Sequence, residues 1–132
     1  MARQAERLTG VWHGLYTYAG QPEPVYFVAT LIDSGAHLSG STHESAIGEA
    51  GAPLTLFASI NGTRHGKSIS FTKTYDGSGG WDHSVAYDGH LNADLTEIEG
   101  RWSIGVKANG RFLMIRSSGA SEAVVRRAFA RA

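Results

Sequence analysis

The residues with which this 132-residue chain could do chemistry are six histidines, twelve acids, twelve bases and five tyrosines, with no cysteine among them. Without cysteine there is no thiol nucleophile, no thiolate metal site and no disulfide. The histidines stand at His13, His37, His43, His65, His83 and His90. They form no His-x-His strand pair and no His-x-x-x-His helix pair. His37 and His43 share a strand face, but at about 3.4 Å per residue they are too far apart to hold one metal ion. No metal site is read. Two acid–base pairs, His43 with Glu44 and Asp82 with His83, are adjacent in sequence. Neighbours on a strand point to opposite faces, so neither pair can act on one substrate. The chain has no Gly-x-Ser-x-Gly elbow and no phosphate loop, and Gly77-Ser78-Gly79-Gly80 reads as a hairpin turn. These absences favour a binding protein over an enzyme.

The candidate binding residues are Tyr16, Tyr26, Phe71, Lys73, Tyr87 and Met114. Lys73 is the most informative. It lies on the parity of Ile69 and Phe71, which directs it toward an interior. There it would hold a ligand carboxylate; alternatively it is a rim lysine that reaches back to water. On the second strand either Tyr26 or Phe27 faces the same space. Together these side chains would offer apolar walls and a few hydroxyls to a small apolar or amphiphilic ligand. The alternative is an interior filled by its own side chains, with the protein acting through its surface as a homo-oligomeric or protein-interaction module.

The elements that must position these residues are strands. The length fits a single domain spanning 1–132, and 42% of the residues are apolar, enough for a core without staples. Strand patterns run over Leu8–Tyr18, Pro24–Asp33, Ala36–Ser45, Leu54–Asn61, His65–Tyr75, His83–Leu91, Leu95–Ile104 and Arg111–Ser117. Turn residues separate them, Asn61-Gly62 and Asn109-Gly110 included. Connections this short require antiparallel neighbours. Closing such a meander removes both exposed edges, which predicts an all-β, eight-stranded antiparallel up-and-down barrel over 8–117. The tail then changes period. Ser121 is suited to an N-cap, and Val125, Ala128 and Phe129 share a helical face, which predicts a short C-terminal helix over 121–131.

Parity sorts the side chains. Trp12 inward carries Gly10, Gly14, Tyr16 and Tyr18 with it. Ile98, Gly100, Trp102 and Ile104 alternate with Glu97, Glu99, Arg101 and Ser103, which points Trp102 inward as a structural residue. The third strand alternates Leu38, Gly40, Thr42 and Glu44 with His37, Ser39, Ser41 and His43. Val11, Leu15 and the stretch from Val25 to Ile32 are apolar on the outer side as well. Such a surface calls for a cover, either the tail helix or a second copy in a homodimer.

The opening Leu8-Thr9-Gly10-Val11-Trp12 resembles the first strand of the calycins, the superfamily of lipocalins, fatty-acid-binding proteins and avidins. Leu38 to Gly48 is similar to the third avidin strand, and Gly100 to Ile104 has a related Gly-x-Trp texture. The resemblance implies a Trp at the barrel floor and, as in lipocalins, an Arg near the end of the barrel packed on it, here Trp12 and Arg116. It implies small-molecule binding inside the barrel. The avidin biotin pocket is not carried over, since His43 and Glu49 stand where that family has Tyr and Asn. Related small barrels ligate haem through a histidine near the C-terminus. This chain has none after His90, so no cofactor is read. Balanced charge gives no footprint for nucleic acid, no apolar run reaches the ~20 residues of a membrane helix, and the start lacks a secretory apolar segment. A cytoplasmic location is expected.

Overall fold

The computed structural model describes residues 7–117. It contains β1 (Gly10–Tyr18), β2 (Val25–Asp33), β3 (His37–Ile47), β4 (Pro53–His65), β5 (Ser68–Tyr75), β6 (Ser84–Leu91), β7 (Glu97–Ile104) and β8 (Ala108–Arg116). Each strand pairs antiparallel with the next, and β8 returns to β1, so the sheet is a closed eight-stranded barrel. The expected helix over 121–131 lies outside the described residues. Among those residues no helix is long and apolar enough to cross a membrane.

Alternation makes the barrel's two faces. Along β6 every second residue from Val85 to Leu91 is buried and every other one exposed. The register of β1 on β2 pairs Trp12 with Ala29 and Gly14 with Phe27, so Phe27 faces the interior. Tyr26 consequently faces outward and is 46% exposed. That corrects its expected place among the interior residues. Both parities of Val25 to Ile32 are apolar, so β2 alone does not say which side is in; its register on β1 does.

Two turn signals are also corrected. Asn61-Gly62 and Asn109-Gly110 lie inside β4 and β8, not between strands. In both, glycine is required by close approach. A Cβ on Gly62 would strike the Ser70 carbonyl and Phe71, and one on Gly110 would strike the Thr17 carbonyl and the Trp102 indole. The chain reverses instead at Gly66 and Gly105, both with positive φ.

One end of the barrel is sealed. Trp12 is fully buried and its Nε1 donates to the Leu8 carbonyl at 2.9 Å. The Arg116 guanidinium lies 5.2 Å from the Trp12 ring centre, and its nitrogens donate to the carbonyls of Leu95 and Arg7. Asp33 accepts from the backbone N–H groups of Leu8 and Gly35, each at 2.9 Å, and from Arg64 at 2.7 Å. Burial alone would raise the Asp33 carboxyl, but these donors outweigh it and hold it below the usual carboxylate range. Any opening into the interior must therefore be at the other end.

Candidate functional site

At that other end the interior is charged. Lys73 on β5 donates to Glu44 Oε1 on β3 at 2.9 Å, and both side chains are 1% exposed. Two tyrosine hydroxyls complete the cluster. Tyr75 donates to the same oxygen at 2.8 Å, and Tyr16 donates to Oε2 at 2.6 Å. Four ring centres surround the ammonium: Phe27 and Tyr75 at 4.9 Å, Tyr16 at 5.0 Å and Tyr87 at 5.8 Å. The negative faces of these rings replace part of the lost hydration of the cation.

The electrostatics follow from burial. Desolvation holds the Lys73 ammonium below the usual lysine value, with Glu44 pulling the other way. Burial, then the hydrogen bond and charge of Glu44, push the Tyr16 phenol far above the usual tyrosine value. Tyr75 is raised by burial and by Glu44, and Tyr87 by burial and then by electrostatic repulsion from Tyr75, Glu44 and Tyr18. A carboxylate that accepts from two hydroxyls and an ammonium is fixed in position.

Above the cluster the mouth is aromatic on both sides. Tyr18 and Trp102 meet edge to face at 4.9 Å on one side. Tyr75, Trp81 and His83 form a three-ring cluster on the other, edge to face or tilted, with centres 4.9–5.4 Å apart. Trp81 belongs to the loop between β5 and β6, whose Gly77, Gly79 and Gly80 all have positive φ. Between the two sides lies a cavity of about 10 Å³, lined by Tyr16, Tyr18, Tyr75, Trp81, Tyr87 and Trp102 among others. That is room for roughly one water molecule. A larger recess of about 420 Å³ lies on the outer wall, over Ser68, Ser70, Asp88, His90, Glu99 and Arg101. All six of these side chains are exposed, and none is held as the interior cluster is.

Of the residues singled out from the sequence, Tyr16, Lys73 and Tyr87 come together here. Phe71 joins through Tyr87, on which it stacks at 4.8 Å. Met114 is fully buried but registered with Gly14 and Ile98, nearer the sealed end. Trp102 is buried, and its Nε1 donates to the Thr17 carbonyl at 3.0 Å. Lys73 is a buried lysine, not a rim one. Tyr75 and Trp81 were not singled out, and Glu44 and His83 were weighed only as halves of the sequence-adjacent pairs His43–Glu44 and Asp82–His83, not as members of an interior site. Glu44 shares the parity of the buried Leu38 and Thr42, and that was the available signal. His43 faces outward beside Phe57, with ring centres 6.3 Å apart, so it cannot work with Glu44. Among the described residues no three His, Asp or Glu side chains converge to hold a metal ion.

Comparison with known proteins adds the fold. No family model and no curated protein matches the chain. A de novo designed fluorescence-activating beta barrel is similar in structure. It has a TM-score of 0.57 and 12% sequence identity, and the match covers 89% of this chain and 100% of that one. At that identity the likeness is one of architecture: an eight-stranded antiparallel barrel, a form that can enclose a ligand.

Proposed function

We propose that the protein binds a small amphiphilic molecule at the mouth end of the barrel, between the Tyr18–Trp102 and Tyr75–Trp81–His83 walls. The observation that carries this reading is the Glu44–Lys73 pair, 1% exposed, beneath an aromatic opening. Filling a core does not call for such a pair. Replacing a buried ion pair by apolar side chains of similar volume is often neutral or stabilising. A polar floor under apolar walls is instead the usual composition of a small-molecule site. The calycin-like features, with Trp12 and Arg116 sealing the far end, support the same orientation. The ligand is small. About 10 Å³ is free, far from the ~300 Å³ that a drug-sized ligand occupies, so the occupant enters only as Trp81 yields.

The test is a thermal-shift and tryptophan-fluorescence screen of small aromatic alcohols, amines and aldehydes, with fatty acids, retinoids, biotin analogues and haem as larger comparators. Native mass spectrometry of the purified protein would run alongside. Saturable stabilisation by small members, reduced in Trp81→Ala, is expected. No stabilisation by any member, and no co-purifying mass, overturns the reading.

A second reading is favoured by that same small volume: a filled barrel that works through its outer face. Val11, Tyr26 and Ile32 are outward and 41%, 46% and 51% exposed, on the side expected to meet a second copy. Light scattering after size exclusion supports it by a stable dimer and counts against it by a monomer.

A further inference from the structure

We propose that Lys73 is a carbonyl trap: the mouth site takes a small aldehyde and holds it as an imine on Lys73 Nζ. This rests on the mouth-end ligand site proposed above and names the chemistry of its occupant. The two groups that such a reaction needs are within hydrogen-bonding reach of each other. The nucleophile is Lys73. The proton acceptor is Glu44, 2.9 Å away. Glu44 is held in place by the Tyr75 and Tyr16 hydroxyls at 2.8 and 2.6 Å. A lysine taken out of water among aromatic rings is the form of the residue used for Schiff-base chemistry, since burial favours the neutral amine.

The steps balance without any oxidant or reductant. Glu44 takes a proton from the Lys73 ammonium. The freed lone pair forms the C–N bond to the carbonyl carbon, the C=O π pair moves to oxygen, and an amine proton transfers to that oxygen to give a carbinolamine. The C–O bond then breaks. Its pair leaves with the hydroxyl, which takes the proton held by Glu44 and departs as water. The product is a protonated imine beside a Glu44 carboxylate. One buried cation has replaced another, so the ion pair and the four ring contacts survive the reaction.

This conservation of charge distinguishes an aldehyde from a carboxylate ligand. A carboxylate would have to compete with Glu44 for the one ammonium, and the loser would be left buried and unpaired. The aldehyde's own body would lie between the mouth rings, where the small cavity already opens against Tyr16, Tyr75 and Tyr87, the rings that also flank Lys73 Nζ.

The chain suits a direct test because it has three lysines, Lys67, Lys73 and Lys107, and Lys67 and Lys107 are exposed. Full-length protein would be incubated with benzaldehyde and cyanoborohydride, then read by intact mass and peptide mapping, with benzyl alcohol as the non-electrophilic partner in a thermal-shift arm. The expected result is a single benzyl adduct at Lys73, formed at least about tenfold faster than at Lys67 or Lys107. Lys73→Arg removes the adduct. Glu44→Gln slows it by roughly a hundredfold, the low end for a general acid–base group. If either variant fails to fold, the wild-type peptide map still decides. Adducts on Lys67 and Lys107 with Lys73 bare overturn the proposal. If benzyl alcohol raises Tm while Lys73 stays bare, the covalent step falls and the binding site stands. If neither compound stabilises the protein and Lys73 is bare, both fall.

Discussion

Lys73→Met tests whether the interior cluster is a true buried ion pair. Methionine keeps most of the lysine stem, so packing changes little and the loss is almost wholly electrostatic. Glu44 would then remain buried, with two tyrosine donors and no cation. Removing one partner of a buried pair costs about 3–5 kcal/mol. That is a large share of the ~5–15 kcal/mol that holds a domain of this size together. For 132 residues it corresponds to a fall in Tm of roughly 11–18 °C. Glu44→Gln leaves the ammonium unpaired instead. Its cost is lower by about 1 kcal/mol, because the four rings continue to stabilise the cation. The double variant leaves no charge behind and returns to within about 1 kcal/mol of wild type. Urea denaturation of all four proteins gives the coupling energy directly, expected at about 3 kcal/mol or more. Single variants costing under ~1 kcal/mol, or a double variant as unstable as the sum of the singles, would refute the reasoning.

The tyrosines predict an alkaline limit. Tyr16, Tyr75 and Tyr87 have folded-state values raised above the ordinary 10.0. The stability they contribute is therefore fully present below that value and is lost as pH rises beyond it. Lys73, lowered from its ordinary 10.5, acts in the opposite sense but as one group against these three and Tyr18, which is also raised, so stability should fall above about pH 10. Tyrosinate absorbance from the three should appear only together with unfolding; their titration in the folded protein would contradict this. Gly110→Ala places a methyl group on the Thr17 carbonyl and should cost about 3 kcal/mol by chemical denaturation, the upper range for overpacking. Arg116→Met removes the contact with Trp12 and the donors to Leu95 and Arg7. It should cost about 1–3 kcal/mol and change the near-UV signal of Trp12.

Much of the fold was legible because strand parity is local. The alternation of Ile98, Gly100 and Trp102 places them on one face whatever their partners are. Short connections permit only antiparallel neighbours, and eight of those in series close most simply on themselves. Parity failed at β2, where both faces are apolar and Tyr26 and Phe27 are equal candidates. Turn chemistry misled at Asn61-Gly62 and Asn109-Gly110, which lie inside strands. A glycine that turns the chain and one that admits a neighbouring backbone look the same in sequence; the second needs a partner strand at that position.

The sequence by itself determined that Lys73 points inward, since its side follows from Ile69 and Phe71. It determined equally that Glu44 lies on the side of Leu38 and Thr42. Only the tertiary structure decided that these two side chains meet, 29 residues apart, at 2.9 Å. The contact crosses the barrel from β5 to β3, strands that do not pair with each other. Facing direction is set by bonds within one strand. Which side chains meet across the interior depends on the tilt and stagger with which all the strands close.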